Sequence, residues 1–184
     1  IKMNADLLLQ LVNDILDMSK IEAGTLEFVY TKVDINLLLS DLRQLFQMKV
    51  NDAGGNIQII AEPSLPSCSI ETDRNRIAQV LSNFTTNAIK FTQEGTICIG
   101  YEARDTELHF YVTDSGAGIP ADKLPEVFGR FVKLNKDKKG TGLGLSISKT
   151  IVNKLEGQIG ADSVEGKGST FWFTIPYRTC GRPE

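Results

Sequence analysis

Apolar positions recur with a helical period over residues 4 to 23, where Leu8, Leu11, Ile15 and Met18 fall at alternating steps of three and four. Leu7, Val12, Leu16 and Ile21 widen the stripe, so this helix needs a partner, and Gly24 in "EAGTL" offers it a C-cap. Asp34 stands where an N-cap belongs, ahead of the helical repeat Ile35, Leu38, Leu39, Leu42, Leu45 and Phe46, which "NDAGG" interrupts. Two strand-like runs follow, "NIQIIAE" and "SCSIETD", around a proline-bearing loop. A third helix starts at Arg74, carries Ile77, Val80, Leu81, Phe84, Ala88 and Phe91 on one side, and stops at "TQEGT". The alternating runs "TICIGYEAR" and "ELHFYVTD" read as a hairpin. A short helix after Pro120, a charged glycine-ended segment and an amphipathic helix over residues 143 to 156 come next, and "QIGADSV" and "TFWFTIP" close the chain about Gly166 and Gly168. Strands paired as hairpins between helices predict an α+β fold: a two-layer α/β sandwich whose mixed sheet is covered on one face by helices.

The 184 residues, 41% of them hydrophobic, suffice for one core and a small appendage. Twenty basic and 23 acidic side chains leave a net charge of −3, so no nucleic-acid partner is expected and any phosphate site must be local. Cys68, Cys98 and Cys180 lie far apart with no C-x-x-C pair, which argues against a disulfide framework or zinc site and fits a reducing cytoplasm. No apolar run is long enough to cross a bilayer. The opening "IKMNADLL" starts inside a helical pattern, as expected of a fragment, and a parent anchored in the inner membrane stays open.

Three stretches carry candidate chemistry. In "NFTTNAIKFT", Asn83, Asn87 and Lys90 share one helix face. The amide oxygen of Asn87 suits magnesium and Lys90 a phosphate, although the stretch alone is equally a solvated helix face. In "DSGAGIP", Asp114 ends a strand, and its carboxylate can accept the exocyclic amine of a purine. Gly116 and Gly118 would let a flat base approach the backbone, although an ordinary Asp-Ser-Gly turn has the same composition. In "GTGLGLSI", Gly140, Thr141, Gly142, Leu143 and Gly144 introduce a helix whose unpaired amides favour an anion. Arg130, Lys133, Lys136, Lys138 and Lys139, opposed by Asp137 alone, supply a local positive field upstream. The spacing is neither a P-loop nor a dinucleotide fingerprint. Between these stretches, Phe128 and Phe131 of "VFGRFVK" are read as apolar anchors that leave Arg130 free.

Their order is what gives them specificity. Asn-x-x-x-Asn-Ala, Asp-x-Gly-x-Gly, the double Phe and Gly-x-Gly-x-Gly resemble the N box, first glycine box, F box and second glycine box of sensor histidine kinases. "DILDMSKIEAGTLEF" is similar to the family's second dimerisation helix and its exit. The resemblance implies residues 1–24 as the truncated end of a dimerisation and phosphoacceptor domain, 25–178 as a catalytic ATP-binding domain, and 179–184 as a tail or linker. It implies ATP and Mg2+ as cofactors, with Asp114 on the adenine amine and Gly116 and Gly118 beside the base. Asn87 would hold the metal with Asn83 assisting, Lys90 would face phosphate, and Thr170 would lie near the adenine pocket. Residues 128–141 would form the ATP lid that carries Arg130 toward the γ-phosphate.

The implied partners are the phosphoacceptor histidine domain of the same parent, a response-regulator receiver domain, and a second copy bound through residues 1–24. Self-association through the apolar stripe of residues 7 to 21 is expected. Hydrolytic relatives carry a glutamate where this chain has Asn83, and an amide cannot take a proton at neutral pH, which favours transfer to a nucleophile over transfer to water. The family's acceptor histidine has no counterpart in this chain. His109, its one histidine, alternates outward with Tyr111 and Thr113 and is not expected to accept phosphate. A nucleotide-binding regulatory module without transfer activity is the alternative the sequence leaves.

Overall fold

The structure, a computed structural model, describes residues 2–133 and 140–177. Helix α1 (Lys2–Glu22) leads through an extended segment into β1 (Thr31–Asp34), α2 (Ile35–Asp52), β2 (Asn56–Glu62), β3 (Ser69–Thr72) and α3 (Arg74–Phe91). The chain continues as β4 (Glu94–Ala103), β5 (Glu107–Asp114), a single 3-10 turn (Leu124–Glu126), α4 (Gly144–Lys154), β6 (Ile159–Val164) and β7 (Gly168–Pro176). Among the described residues no helix is long and apolar enough to cross a membrane. Lys136, Asp137, Lys138, Lys139 and the tail from 178 onward, including Cys180, lie outside the described residues.

Five strands form one mixed sheet in the order β2-β4-β5-β7-β6, with β2 parallel to β4 and the other neighbours antiparallel. The expected mixed sheet and the β4–β5 and β6–β7 hairpins are present. The first strand pair differs from expectation: "NIQIIAE" joins the sheet beside β4, whereas "SCSIETD" pairs with β1, a strand the periodicity did not reveal. Only Val33 of β1 is buried, so its four residues carry no alternation to detect. The helix expected after Pro120 is reduced to the 3-10 turn.

The helices α2, α3 and α4 bury one face of the sheet. Ile97, Ile99 and Tyr101 of β4, Leu108, Phe110 and Val112 of β5, and Phe171, Phe173 and Ile175 of β7 all point into this layer, as period-two alternation demands. Phe84 of α3 is fully buried and meets Phe171 and Phe173 with ring centroids 5.4 and 6.0 Å apart, so α3 is keyed to the middle of the sheet. Both capping expectations hold. Asp34 accepts from Leu37 N at the start of α2, and Gly24, at φ +68°, follows α1. Asp73 does double work, accepting from Arg76 N at the head of α3 and from Val29 N of the segment leaving α1.

The opposite face of the sheet is polar and aromatic. His109 stacks on Trp172 at 5.3 Å, Tyr111 donates to Glu62, and Trp172 Nε1 donates to Asp162. Burial, then the nearby Arg104, push the His109 imidazole below its usual pKa. It is a half-buried sheet residue, on the face away from the helices.

Candidate functional site

Helix α3 turns its apolar residues to the sheet and, by the same periodicity, turns Asn83, Asn87 and Lys90 toward a cleft of about 140 Å³ bounded by the start of α4, residues 127–133 and α1. The Asn87 side chain makes no hydrogen bond with the described residues and lines this cleft. Asn83 is engaged: its Nδ2 donates to Gly144 O and to Ser148 Oγ, both at 3.0 Å, tying α3 to the first turns of α4. Burial, then Lys133, push the Lys90 ammonium below its usual pKa, while the charge of Asp14 acts the other way. An ammonium so placed gains from an arriving anion. Its Nζ stands so near Gly140 that a Cβ on that residue would overlap it.

Asp114 ends β5 on the buried side of the sheet, 7% exposed. Its Oδ1 accepts Gly116 N at 2.9 Å and Ser169 N at 3.3 Å, which fixes the carboxylate and leaves Oδ2 without a described partner. Burial raises its pKa, and the two N–H donors pull it partly back. The structure supplies a different reason for the neighbouring glycines from the one the sequence suggested. A Cβ on Gly116 would overlap Phe91 O at the end of α3, and one on Gly118, at φ +70°, would overlap Val164 O. These glycines let "DSGAGIP" lie against α3 and β6, with Ala117 N donating to Phe91 O and Gly166 N to Ala117 O.

The second glycine box lies across the cleft. Thr141 Oγ1 accepts from Leu143 N and donates to Asp14 Oδ2 at 2.6 Å. The Leu143 side chain is buried in the core, so only its backbone belongs to the site. Phe128 packs edge-on against Phe171 as an anchor, but Phe131 does not: it is 70% exposed at φ +58°, held by its N–H to Gly142 O.

Two assigned positions move. Arg130 does not line the cleft; its guanidinium bonds Glu22 of α1 at 2.7 Å, where an exposed acid is the nearest counter-charge. Thr170 points to the other face of the sheet, with its hydroxyl 2.9 Å from that of Thr113. The residue beside Asp114 is Ser169, one position earlier, and strict alternation from Thr113 would have found it. Asp14 was also missed. It interrupts the line Leu7, Leu11, Met18 and Ile21, and a carboxylate on an apolar stripe is the available signal.

A magnesium ion needs few protein ligands when phosphates and waters complete its shell. The unengaged amide of Asn87 fits that role, and among the described residues no cluster of three or more His, Cys, Asp or Glu offers a competing metal site.

The pattern of the family described as "Histidine kinase-, DNA gyrase B-, and HSP90-like ATPase" matches residues 72–179, more than half of the chain. Hybrid signal transduction histidine kinase B of Dictyostelium discoideum is 38% identical over 192 residues, covering 100% of this chain, which spans 10% of that protein's length. Full-length ShkA in complex with AMPPNP superposes with a TM-score of 0.87 at 33% identity, over 99% of this chain and 38% of that one. The nucleotide-free catalytic domain of the histidine kinase ThkA gives 0.72 at 34% identity, over 82% and 97%. ThkA in complex with the response regulator TrrA gives 0.72 at 29%, over 92% and 49%. Asn87, Lys90 and the glycine box meet at one cleft, Asp114 lies outside it at the end of β5, and the chain belongs to the family of histidine kinase-, DNA gyrase B- and HSP90-like ATPases.

Proposed function

We propose that the chain binds ATP with magnesium and transfers the γ-phosphoryl group to a histidine on a dimerisation helix outside these 184 residues, for relay to an aspartate of a response-regulator receiver domain. The observation that carries this reading is the pair of unengaged oxygen ligands, Oδ2 of the Asp114 carboxylate at the end of β5 and the Asn87 amide on α3. Asp114 Oδ2 accepts the adenine amine, and Lys90 opposes the phosphate charge. Asn87 holds the ion, which when bound neutralises charge on the phosphate oxygens.

Asn83 cannot serve as a base. Its amide takes no proton and is committed to α4, so water is not activated there and an imidazole nitrogen is the better nucleophile. Arg130 reaches a phosphate only after leaving Glu22. Dimerisation is assigned to the outer side of α1, where Leu8, Val12, Ile15 and Leu16 are 45–61% exposed.

The test is phosphorylation in trans. With radiolabelled ATP, magnesium and a separate acceptor-helix domain, the acceptor gains acid-labile label and this chain alone gains none. Label on His109, or ATP binding with no label on any supplied acceptor, rejects the reading.

A further inference from the structure

Asp14 is 3% exposed and lines the cleft. Its Oδ2 accepts the Thr141 hydroxyl at 2.6 Å, and its Oδ1 accepts Gln10 Nε2 at 2.8 Å. Asn83, Asn87 and Lys90 face the same cleft from α3, and Lys133 faces it from the adjoining loop. A hydroxyl donor, an ammonium and open glycine backbone are what a phosphate oxygen requires. A buried carboxylate requires the same compensation, and Asp14 takes the hydroxyl of Thr141 and lies within the field of the Lys90 ammonium. Glu22, two turns further along α1, likewise holds Arg130.

Resting on the nucleotide reading above, we infer that Asp14 occupies the place of a terminal phosphate oxygen, so that docking of α1 in the cleft and binding of a nucleoside triphosphate oppose each other. A phosphate oxygen cannot take the Thr141 hydroxyl while Asp14 holds it, and the two anions repel each other beside Lys90. The coupling is reciprocal: α1 weakens triphosphate binding by the factor by which the triphosphate loosens α1. Adenosine escapes this coupling, because Asp114, Gly116 and Gly118 lie outside the cleft that holds Asp14.

The whole chain is titrated with a non-hydrolysable ATP analogue, ADP and adenosine in magnesium, as wild type and as Asp14→Asn, which keeps the size and an acceptor for Thr141. The variant binds the triphosphate about tenfold more tightly, ADP by a smaller factor, and adenosine unchanged. In parallel, hydrogen exchange on the wild type shows α1 amides losing protection with the analogue and not with adenosine. Unchanged triphosphate affinity in the variant overturns the inference. Weaker affinity overturns it too, and makes Asp14 a ligand of the ion. Should the variant not fold, exchange alone decides, and α1 protection retained under saturating analogue rejects the competition. If neither adenosine nor the analogue binds the wild type at millimolar concentration, the nucleotide reading itself fails and the inference with it.

Discussion

The two ends of the site are built in different ways. At the proposed base end, Asp114, Gly116, Gly118 and Ser169 come from strand ends and turns already locked by the sheet, by the end of α3 and by the β6–β7 turn. At the phosphate end, Asn87 and Lys90 are firm on α3, but Thr141 and Arg130 bond to Asp14 and Glu22 of α1. One end is a fixed socket. The other is assembled from elements distant in sequence, one of them outside the region matched by the family. Base recognition is therefore expected to be insensitive to the position of α1, and phosphate recognition sensitive to it.

The sharpest way to separate the ends is Asn87→Ala. Removing one group that acts on the transferring phosphate costs about 10²–10³ in rate, so transfer to a supplied acceptor collapses while adenosine affinity, read by calorimetry, is unchanged. Equal loss of both would erase the distinction. Asp114→Asn breaks the other end: losing a hydrogen bond to a charged acceptor lowers affinity about 10- to 100-fold for adenosine, ADP and ATP alike. Thermal unfolding of that variant is expected at or above the wild-type temperature, since the buried charge is removed.

Acid acts on the same end by a smaller step. The folded pKa of Asp114 is raised, so protonation favours the folded state, and the cost of its charge to folding is present above that pKa and disappears as pH falls through it. Adenosine affinity should thus fall about tenfold per pH unit once pH drops below a midpoint above the ordinary aspartate range, with no loss of stability from this group. A midpoint at or under the ordinary range would place the purine elsewhere. Smallest is Glu22→Gln at the phosphate end, where the ion pair with Arg130 is half exposed on both sides. Such pairs contribute about 0–1 kcal/mol, so the melting temperature moves by a degree or two at most while exchange at residues 127–133 increases.

The same contrast governs what could be read from the chain. Helix caps at Asp34, the faces of α2, α3 and α4, and the β4–β5 hairpin depend on residues near one another, and periodicity reveals them. The pairing of β1 with β3 and the parallel pairing of β2 with β4 join segments separated by loops and a helix, and four residues of β1 hold no pattern. In the site, helical spacing put Asn87 and Lys90 on one face of α3, where both line the cleft. Motif order misplaced Thr170 by one residue, which in a strand exchanges faces, and it gave Arg130 a partner in the cleft when Glu22 lay closer. Asp14 escaped because an acid on an amphipathic helix is ordinarily solvated, whereas here it is buried and bonded to Thr141, far away in sequence.

The tether from Asn83 to α4 bears on any attempt to convert this domain into a hydrolase. Asn83→Glu installs a proton acceptor beside the cleft, yet a carboxylate offers nothing to Gly144 O, so the glycine-rich helix start loses its brace as the base arrives. Gain of a catalytic group and loss of its scaffold come in one substitution. Phosphate release from ATP should stay at background unless a second change re-anchors that turn.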